Sequence, residues 1–343
     1  MTDKLWRRMG SAKDGFEYLR GDGKPLRSKA ALRRIESLAI PPAWTDVRIA
    51  PSAEGKVQAV GYDAAGRKQY IYNPRFVEKR ARRKFNRIVS FARDLPRLRQ
   101  VTNEHLRTRG LNRRRVLATV VRLMARAYFR VGSERYALDN KTFGLTTLRK
   151  KHLVIRGNDL IFSFKGKSGI HQRRVVAATP LVNIMKKLVE LPGSRLFRYY
   201  DEEGKLRNVT ARAVNDYLKE ILGEAYSSKD IRTWGGTVRA AVILADLGPA
   251  EKPREAEKNI VLACKLVSSE LGNTPSVCRS AYIHPVVLER YVTGATIARV
   301  MRKTDRPVEA DAPVEYYPEE AALLRFLEES SKFKVRSNRG ELL

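Results

Sequence analysis

Within four residues, Gly272-Asn273-Thr274-Pro275 stops one helix and starts another. Gly272 closes an apolar-periodic run that opens near Pro253, and glycine is the residue that most readily takes a left-handed C-cap. Thr274 offers an N-cap oxygen, and Pro275 suits the first turn, where a missing N–H is no loss. The corner between the two helices is therefore written into the chain. The second helix is short, carries Arg279, and brings Tyr282 to its far end. By itself, a tyrosine after a capped helix is most often a half-buried packing residue. In this chain it stands among an excess of basic residues, which points instead to a phenol offered to a phosphate.

The segments before that corner read as helices at about Pro180–Glu190, Thr210–Leu222, Asp230–Leu247 and Pro253–Leu271, from their apolar periodicity and punctuation. An earlier helix over Arg113–Tyr128 turns Val116, Leu117, Val120, Val121, Leu123 and Met124 toward a core. Between these helices lies a β interlude, His152–Arg156, Leu160–Phe164 and Ile170–Val176, with glycine turns at Gly157 and at Gly166-Lys167-Ser168-Gly169.

The first 76 residues read differently. Val47–Ala50, Val57–Tyr62 and Gln69–Tyr72 are strand candidates, and Ile40-Pro41-Pro42 is extended. A basic helix over Phe76–Leu98, ended by Pro96, leads out of this region. At the other end, an acidic, proline-containing linker (Asp305–Pro318) precedes a helix at Glu319–Ser330 and a frayed basic tail. The expected fold class is α+β: a β-rich domain at 1–90, a mostly helical domain with a short three-stranded sheet at 91–310, and a C-terminal helix and tail at 311–343. No internal repeat is evident.

The 343 residues carry 68 Lys+Arg against 37 Asp+Glu, a formal net charge of +31. Such an excess calls for a polyanionic partner, and nucleic acid fits best. A membrane surface is disfavoured, because no bulky amphipathic helix, lipidation signal, signal-peptide core or 18-residue apolar run is present. Cys264 and Cys278 have no metal-ligand spacing, and His105, His152, His171 and His284 are scattered. No metal site is expected, and the reducing cytoplasm is the default compartment.

Gly166-Lys167-Ser168 resembles the end of a phosphate-binding P-loop, but Ile161 stands where that loop needs glycine, and a strand follows instead of a helix. Nucleotide triphosphate binding is therefore rejected here. Lys167 is left either as a solvated turn residue or as a lysine able to reach a phosphodiester. Arg130 follows the apolar helix, with Glu134 and Asp139 as nearby candidate ion-pair partners. Arg232 is expected in the first turn of its helix, where the backbone dipole favours an anion. Arginines on apolar elements are costly unless they meet an anion.

Taken in order, Arg130, Lys167, Lys229-x-x-Arg232, Asn273 and Tyr282 give the chain its resemblance to the type IB DNA topoisomerases, in the compact form of poxviruses and many bacteria. Matching blocks are Phe129–Gly132, Lys141–Leu148, Gly166-Lys167, Lys229–Gly235 and Gly272–Tyr282. In the first domain Ile40–Val47 and Gly66–Tyr72 match as well. The resemblance spans about residues 35–295. Asn273 stands where poxviral members have histidine and bacterial ones commonly have asparagine, so a bacterial source is expected.

The resemblance implies a monomer that clamps double-stranded DNA, nicks one strand, lets the duplex swivel and reseals it. Tyr282 would attack the scissile phosphate to give a 3′-phosphotyrosine. Arg130 and Arg232 would stabilise the charge on phosphorus, each by roughly 3–4 kcal/mol if they act as oxyanion donors do. A tyrosine phenol, with its ordinary pKa of about 10, needs such help. Asn273 would donate a hydrogen bond to a non-bridging oxygen, Lys167 would protonate the departing 5′-oxygen, and Lys229 would support it. The phosphoester conserves the energy for resealing, so neither ATP nor Mg²⁺ nor any cofactor is expected.

DNA contacts are implied at Arg67, Lys68, Gln69, Tyr70 and Tyr72, on a strand lying in the major groove where glutamine can pair with adenine, and at Tyr136, Asn140 and Arg279. The bland reading of Tyr70 and Tyr72 is a pair covering a small core. The expected location is the cytoplasm, at the nucleoid.

Two other readings compete. A tyrosine recombinase shares the nucleophile and arginine pair, but usually has His-x-x-Arg in place of Lys229-x-x-Arg232 and a helical N-terminal domain. A basic DNA-binding protein without activity is the third.

Overall fold

The computed structural model describes residues 5–301 and 316–340, with side chains through residue 330. The chain divides into two units, residues 1–85 and 86–343. The expected β-rich beginning is present as a five-stranded antiparallel sheet. Its strands are β1 (Trp6–Ser11), β2 (Gly15–Leu19), β3 (Thr45–Ile49), β4 (Val57–Tyr62) and β5 (Lys68–Tyr72), in the order β2-β1-β3-β4-β5. Helix α1 (Lys29–Ser37), capped by the Ser28 hydroxyl, was not expected. Only Ile35 of this helix is fully buried, so its apolar stripe is too thin to stand out in the sequence. Ile35, Val47, Ile49 and Ala59 form a small core, covered by Trp6, Tyr18, Leu26, Ile40, Trp44 and Ile71.

Period-two alternation decides what β5 shows to water. Ile71 packs inward, while Lys68, Tyr70 and Tyr72 stand exposed on the other face. The two tyrosine rings stack 5.8 Å apart with 19° between their planes. They therefore do not cover the core. Gln69 falls on the opposite face from the tyrosines, and its amide already donates to Asp63 at 2.8 Å. Arg67 pairs with the same carboxylate at 2.8 Å.

Helix α2 (Pro74–Arg93) is followed at once by α3 (Leu95–Arg107). Pro96 does not end a helix at Leu98 as expected; it sits in the first turn of α3, where proline lacks nothing it needs. The second unit is built around α4 (Arg113–Ala127), whose Val116, Leu117, Val120, Val121, Leu123 and Met124 are all buried. Helix α5 (Glu134–Asp139) follows. Next comes the expected three-stranded antiparallel sheet: β6 (Leu153–Arg156), β7 (Asp159–Lys165) and β8 (His171–Ala177).

After α6 (Thr179–Glu190), a two-stranded hairpin of β9 (Arg198–Tyr200) and β10 (Leu206–Asn208) intervenes; three-residue strands leave too short a pattern to read. The chain continues through α7 (Ala211–Leu222), α8 (Ser228–Leu247), α9 (Pro253–Leu271), α10 (Pro275–Ala281), α11 (Pro285–Val292) and α12 (Ala298–Met301). Of the expected linker Asp305–Pro318, residues 305–315 lie outside the described residues, as do the last three residues of the tail. Helix α13 (Pro318–Gly340) runs ten residues beyond its expected end at Ser330 and buries Ala322, Leu323, Phe326 and Leu327 in the core of the second unit.

Among the described residues no helix is long and apolar enough to cross a membrane. Cys264 and Cys278 are buried free thiols.

Candidate active site

The corner at Gly272 forms as its sequence dictates. Gly272 takes the left-handed conformation (φ 63°, ψ 49°) at the end of α9. The Thr274 hydroxyl accepts from the Val277 N–H at 3.3 Å, and Pro275 opens α10. Cys278 anchors this short helix in the core. Tyr282 caps it half-exposed, its N–H donating to the Cys278 carbonyl at 2.9 Å. Ile283, fully buried, fixes the chain immediately after.

Three further residues converge on Tyr282. Arg232, buried on α8, lies with its guanidinium carbon 5.2 Å from the Tyr282 ring centre. Its two terminal nitrogens donate to main-chain carbonyls, one to Tyr128 and the other to Leu271 at 2.9 Å. Arg130, just past α4, donates to the Gly272 carbonyl at 2.7 Å and to Asn273 Oδ1. The expected carboxylate partners are taken elsewhere: Glu134 holds Arg195, and Asp139 holds Arg135.

The two arginines are thus aimed by carbonyl oxygens, which leave their positive charge uncancelled. Burial, reinforced by the charge of Arg130, pulls Arg232 down to about 10, while Tyr282 pulls it back up. Arg130 is likewise lowered by burial, with Tyr282 and the Cys278 thiol opposing. Cys278 itself is pushed up to about 11 by burial, so it stays a thiol packed against the Asn273 amide. Within this site, among the described residues, Arg232 Nε and Asn273 Nδ2 are buried donors with no hydrogen-bond partner. Buried donors are rarely left so, and an anion is the natural acceptor for this pair.

Helix α8 begins two residues before its expected start, so Arg232 lies past the first turn rather than in it. The favourable anion position at the helix start belongs to Asp230, which accepts from the Ser227 N–H and hydroxyl and pairs with Arg87 at 2.8 Å. Asp230 therefore secures the helix that carries Arg232.

The glycine pair Gly235-Gly236 is unfavourable in a helix but is required by close approach. A Cβ on Gly235 would lie 2.0 Å from the Tyr128 ring, and one on Gly236 would lie 2.8 Å from the Tyr282 carbonyl oxygen. That carbonyl also accepts from the Thr237 hydroxyl at 3.2 Å. Tyr128 is itself left-handed (φ 53°), which turns its carbonyl toward Arg232.

Lys167 sits on the β7–β8 turn, exposed, at the rim of a narrow cleft lined also by Arg130, Arg174, Arg232, Gly166 and Gln172. Among the described residues no carboxylate lines this cleft. Lys229 is exposed at the start of α8 and does not line it. Tyr136, Asn140 and Arg279 are exposed on or beside short helices. His284 is buried; it caps α11, its Nδ1 accepting from the Val286 N–H at 3.3 Å.

The sequence reading missed Arg174 and Gln172. Their signal is positional: alternate residues on β8 share the face of buried Val176, so two polar side chains point inward.

Residues 73–306 match the family described as eukaryotic DNA topoisomerase I, catalytic core, and residues 15–63 match the N-terminal domain of bacterial DNA topoisomerase IB. DNA topoisomerase 1B of Acanthamoeba polyphaga mimivirus is 32% identical over 303 residues, covering 86% of this chain and 90% of that protein. DNA topoisomerase 1B of Vaccinia virus (strain Copenhagen) is 25% identical over 263 residues, covering 74% and 80%. The N-terminal match supports the bacterial character expected from Asn273, although these two relatives are viral. Both matched families are topoisomerases, and the first unit is β-rich, which removes the recombinase and the inactive binder. With a catalytic-core match over most of its length, the chain belongs to the type IB DNA topoisomerases, enzymes that relax supercoiled DNA.

Proposed function

We propose that the chain relaxes duplex DNA through a 3′-phosphotyrosyl intermediate formed by Tyr282, without ATP or Mg²⁺. The observation that carries this reading is the convergence of Arg130, Arg232 and Asn273 on Tyr282, with two buried donors left unpartnered. Tyr282 Oη loses its proton to solvent water and attacks phosphorus in line with the 5′-oxygen, which departs as the new P–O bond forms. Arg130, Arg232 and Asn273 donate to the non-bridging oxygens, where negative charge grows in the transition state. The two arginines are aimed beforehand by main-chain carbonyls, and Asn273 is held by Arg130, so little reorganisation is needed.

Lys167 gives its proton to the 5′-oxygen, and resealing runs the same steps in reverse. Lys229, exposed and outside the cleft, is assigned a supporting charge toward the DNA backbone near it. One phosphodiester is exchanged for another, so bond energy is retained and no nucleotide is consumed.

The protein acts as a monomer on double-stranded DNA. Lys68, Tyr70 and Tyr72 offer one exposed face of β5 to the groove. Arg67 adds a contact on release from Asp63, Gln69 steadies that turn from the opposite face of β5, and Tyr136, Asn140 and Arg279 add further contacts. Binding is dominated by phosphate contacts and weakens steeply with salt.

Supercoiled plasmid in EDTA without ATP tests the reading. Complete relaxation by the wild type is expected. Tyr282→Phe should bind DNA with the same salt slope and form no covalent adduct on a denaturing gel. An adduct that persists in this variant overturns the assignment.

A further inference from the structure

Gly166, which precedes Lys167, has ordinary extended geometry (φ −91°, ψ −166°), so its backbone does not require glycine. Space does. A Cβ there would lie 2.9 Å from Cγ of Gln172 on the partner strand. The other end of the same side chain meets the nucleophile corner: a Cβ on Gly272 would lie 2.8 Å from Gln172 Oε1 and 3.0 Å from Nε2. Gln172 is thus wedged between the turn that carries Lys167 and the residue that precedes Asn273.

The wedge has a clamp of its own. Arg174, two residues on and on the same face of β8, donates to Gln172 Oε1 at 2.7 Å. Arg174 is itself largely buried, beside Arg130 and Glu270, and lines the cleft with Lys167 and Arg232. A neutral amide is the partner that fits. A carboxylate at 172 would hold Arg174 more tightly, but would set a negative charge where a phosphate must come.

We infer that Gln172, oriented by Arg174, is a positioning residue that fixes the height of the Lys167 turn over the Gly272-Asn273 corner. Proton donor and phosphate-binding groups then keep one spacing through both cleavage and resealing. The inference rests on the reading of Lys167 as proton donor, because Gln172 acts on the chemistry through that lysine.

The test uses the full chain in single-turnover cleavage of two duplexes, one ordinary and one with sulfur in place of the scissile 5′-oxygen. Sulfur is a leaving group that needs little protonation. Gln172→Ala should bind DNA with nearly wild-type affinity and cleave the ordinary duplex roughly 10–100-fold more slowly, the penalty of a small misplacement. On the sulfur duplex it should recover most of that loss, as Lys167→Ala should. Arg174→Lys should keep more activity than Arg174→Ala.

A second measurement tests the wedge without reference to proton transfer. Gly166→Ala should slow the wild type, through its clash with Gln172, but add little in the Gln172→Ala background. Additive effects overturn the wedge, and so does wild-type cleavage by Gln172→Ala. If Lys167→Ala recovers on sulfur and Gln172→Ala does not, the positioning role is refuted. If Lys167→Ala itself fails to recover, the proton-donor reading falls, and the coupling between Gly166 and Gln172 alone decides the wedge.

Discussion

Gly236→Ala isolates how closely α8 holds the proposed nucleophile. The added Cβ would lie 2.8 Å from the Tyr282 carbonyl oxygen, against 3.4 Å where ordinary contact begins, so the two must part by about 0.6 Å. Neither side yields easily: α8 is buried through this stretch, and Ile283, next to Tyr282, is fully buried. Overpacking of this kind costs about 1–3 kcal/mol, while alanine regains ~1 kcal/mol of helix propensity. Net destabilisation should therefore be small, about 0–2 kcal/mol by urea unfolding. The rate should suffer more. If a 1 Å misplacement near the reacting atoms costs about 100-fold, a shift of about 0.6 Å costs on the order of ten-fold in single-turnover cleavage. Gly235→Ala provides the contrast, because its Cβ would fall 2.0 Å from the Tyr128 ring. That should cost stability first, about 3 kcal/mol, near the upper end for overpacking. A Gly236→Ala protein that is more stable than the wild type and cleaves at the same rate refutes the reasoning.

Three further outcomes follow. Wild-type cleavage should show no acid limb set by an imidazole, because Asn273 does not titrate and His284 caps α11; Asn273→His should introduce a pH dependence near ~6.5. A wild-type limb that vanishes in His284→Ala contradicts this. Asp230→Ala removes both the cap of α8 and the partner of Arg87 and should cost roughly 2–4 kcal/mol in unfolding experiments; an unchanged Tm refutes it. His152 is held below its ordinary value by burial, its Nδ1 accepting from the Arg149 N–H, and His105 is lowered likewise. A lowered histidine binds its proton more readily when unfolded, so stability should be complete above ~6.5 and decline as pH falls below it. His152→Asn should flatten its share of that limb in pH-dependent unfolding.

Much of this molecule is legible before any coordinates. The corner at Gly272–Pro275 forms from its own residues, because caps act over three or four positions. The same locality makes β4 and the three strands of the second sheet readable from alternation, and α4 from its apolar stripe. Reading failed where the local signal was thin. Helix α1 buries one residue, β9 and β10 are three residues each, and Pro96 reads equally as a stop or a start.

The order Arg130, Lys167, Arg232, Asn273, Tyr282 is likewise a property of the sequence, and it was enough to name a family. What the order does not contain is the company each residue keeps. Arg130 and Asn273 are bonded across 143 residues, and no local pattern says that Arg130 will take carbonyls while Glu134 and Asp139 pair elsewhere. Gly166, Gly235 and Gly236 look alike as letters; only packing shows that one makes room for Gln172, one for Tyr128 and one for Tyr282. Caps and periodicity are short-range and therefore written in neighbouring residues. The uncancelled charge, the unpartnered donors and the wedge at Gln172 arise from contacts between elements far apart in the chain, so they were decided only when the second unit packed.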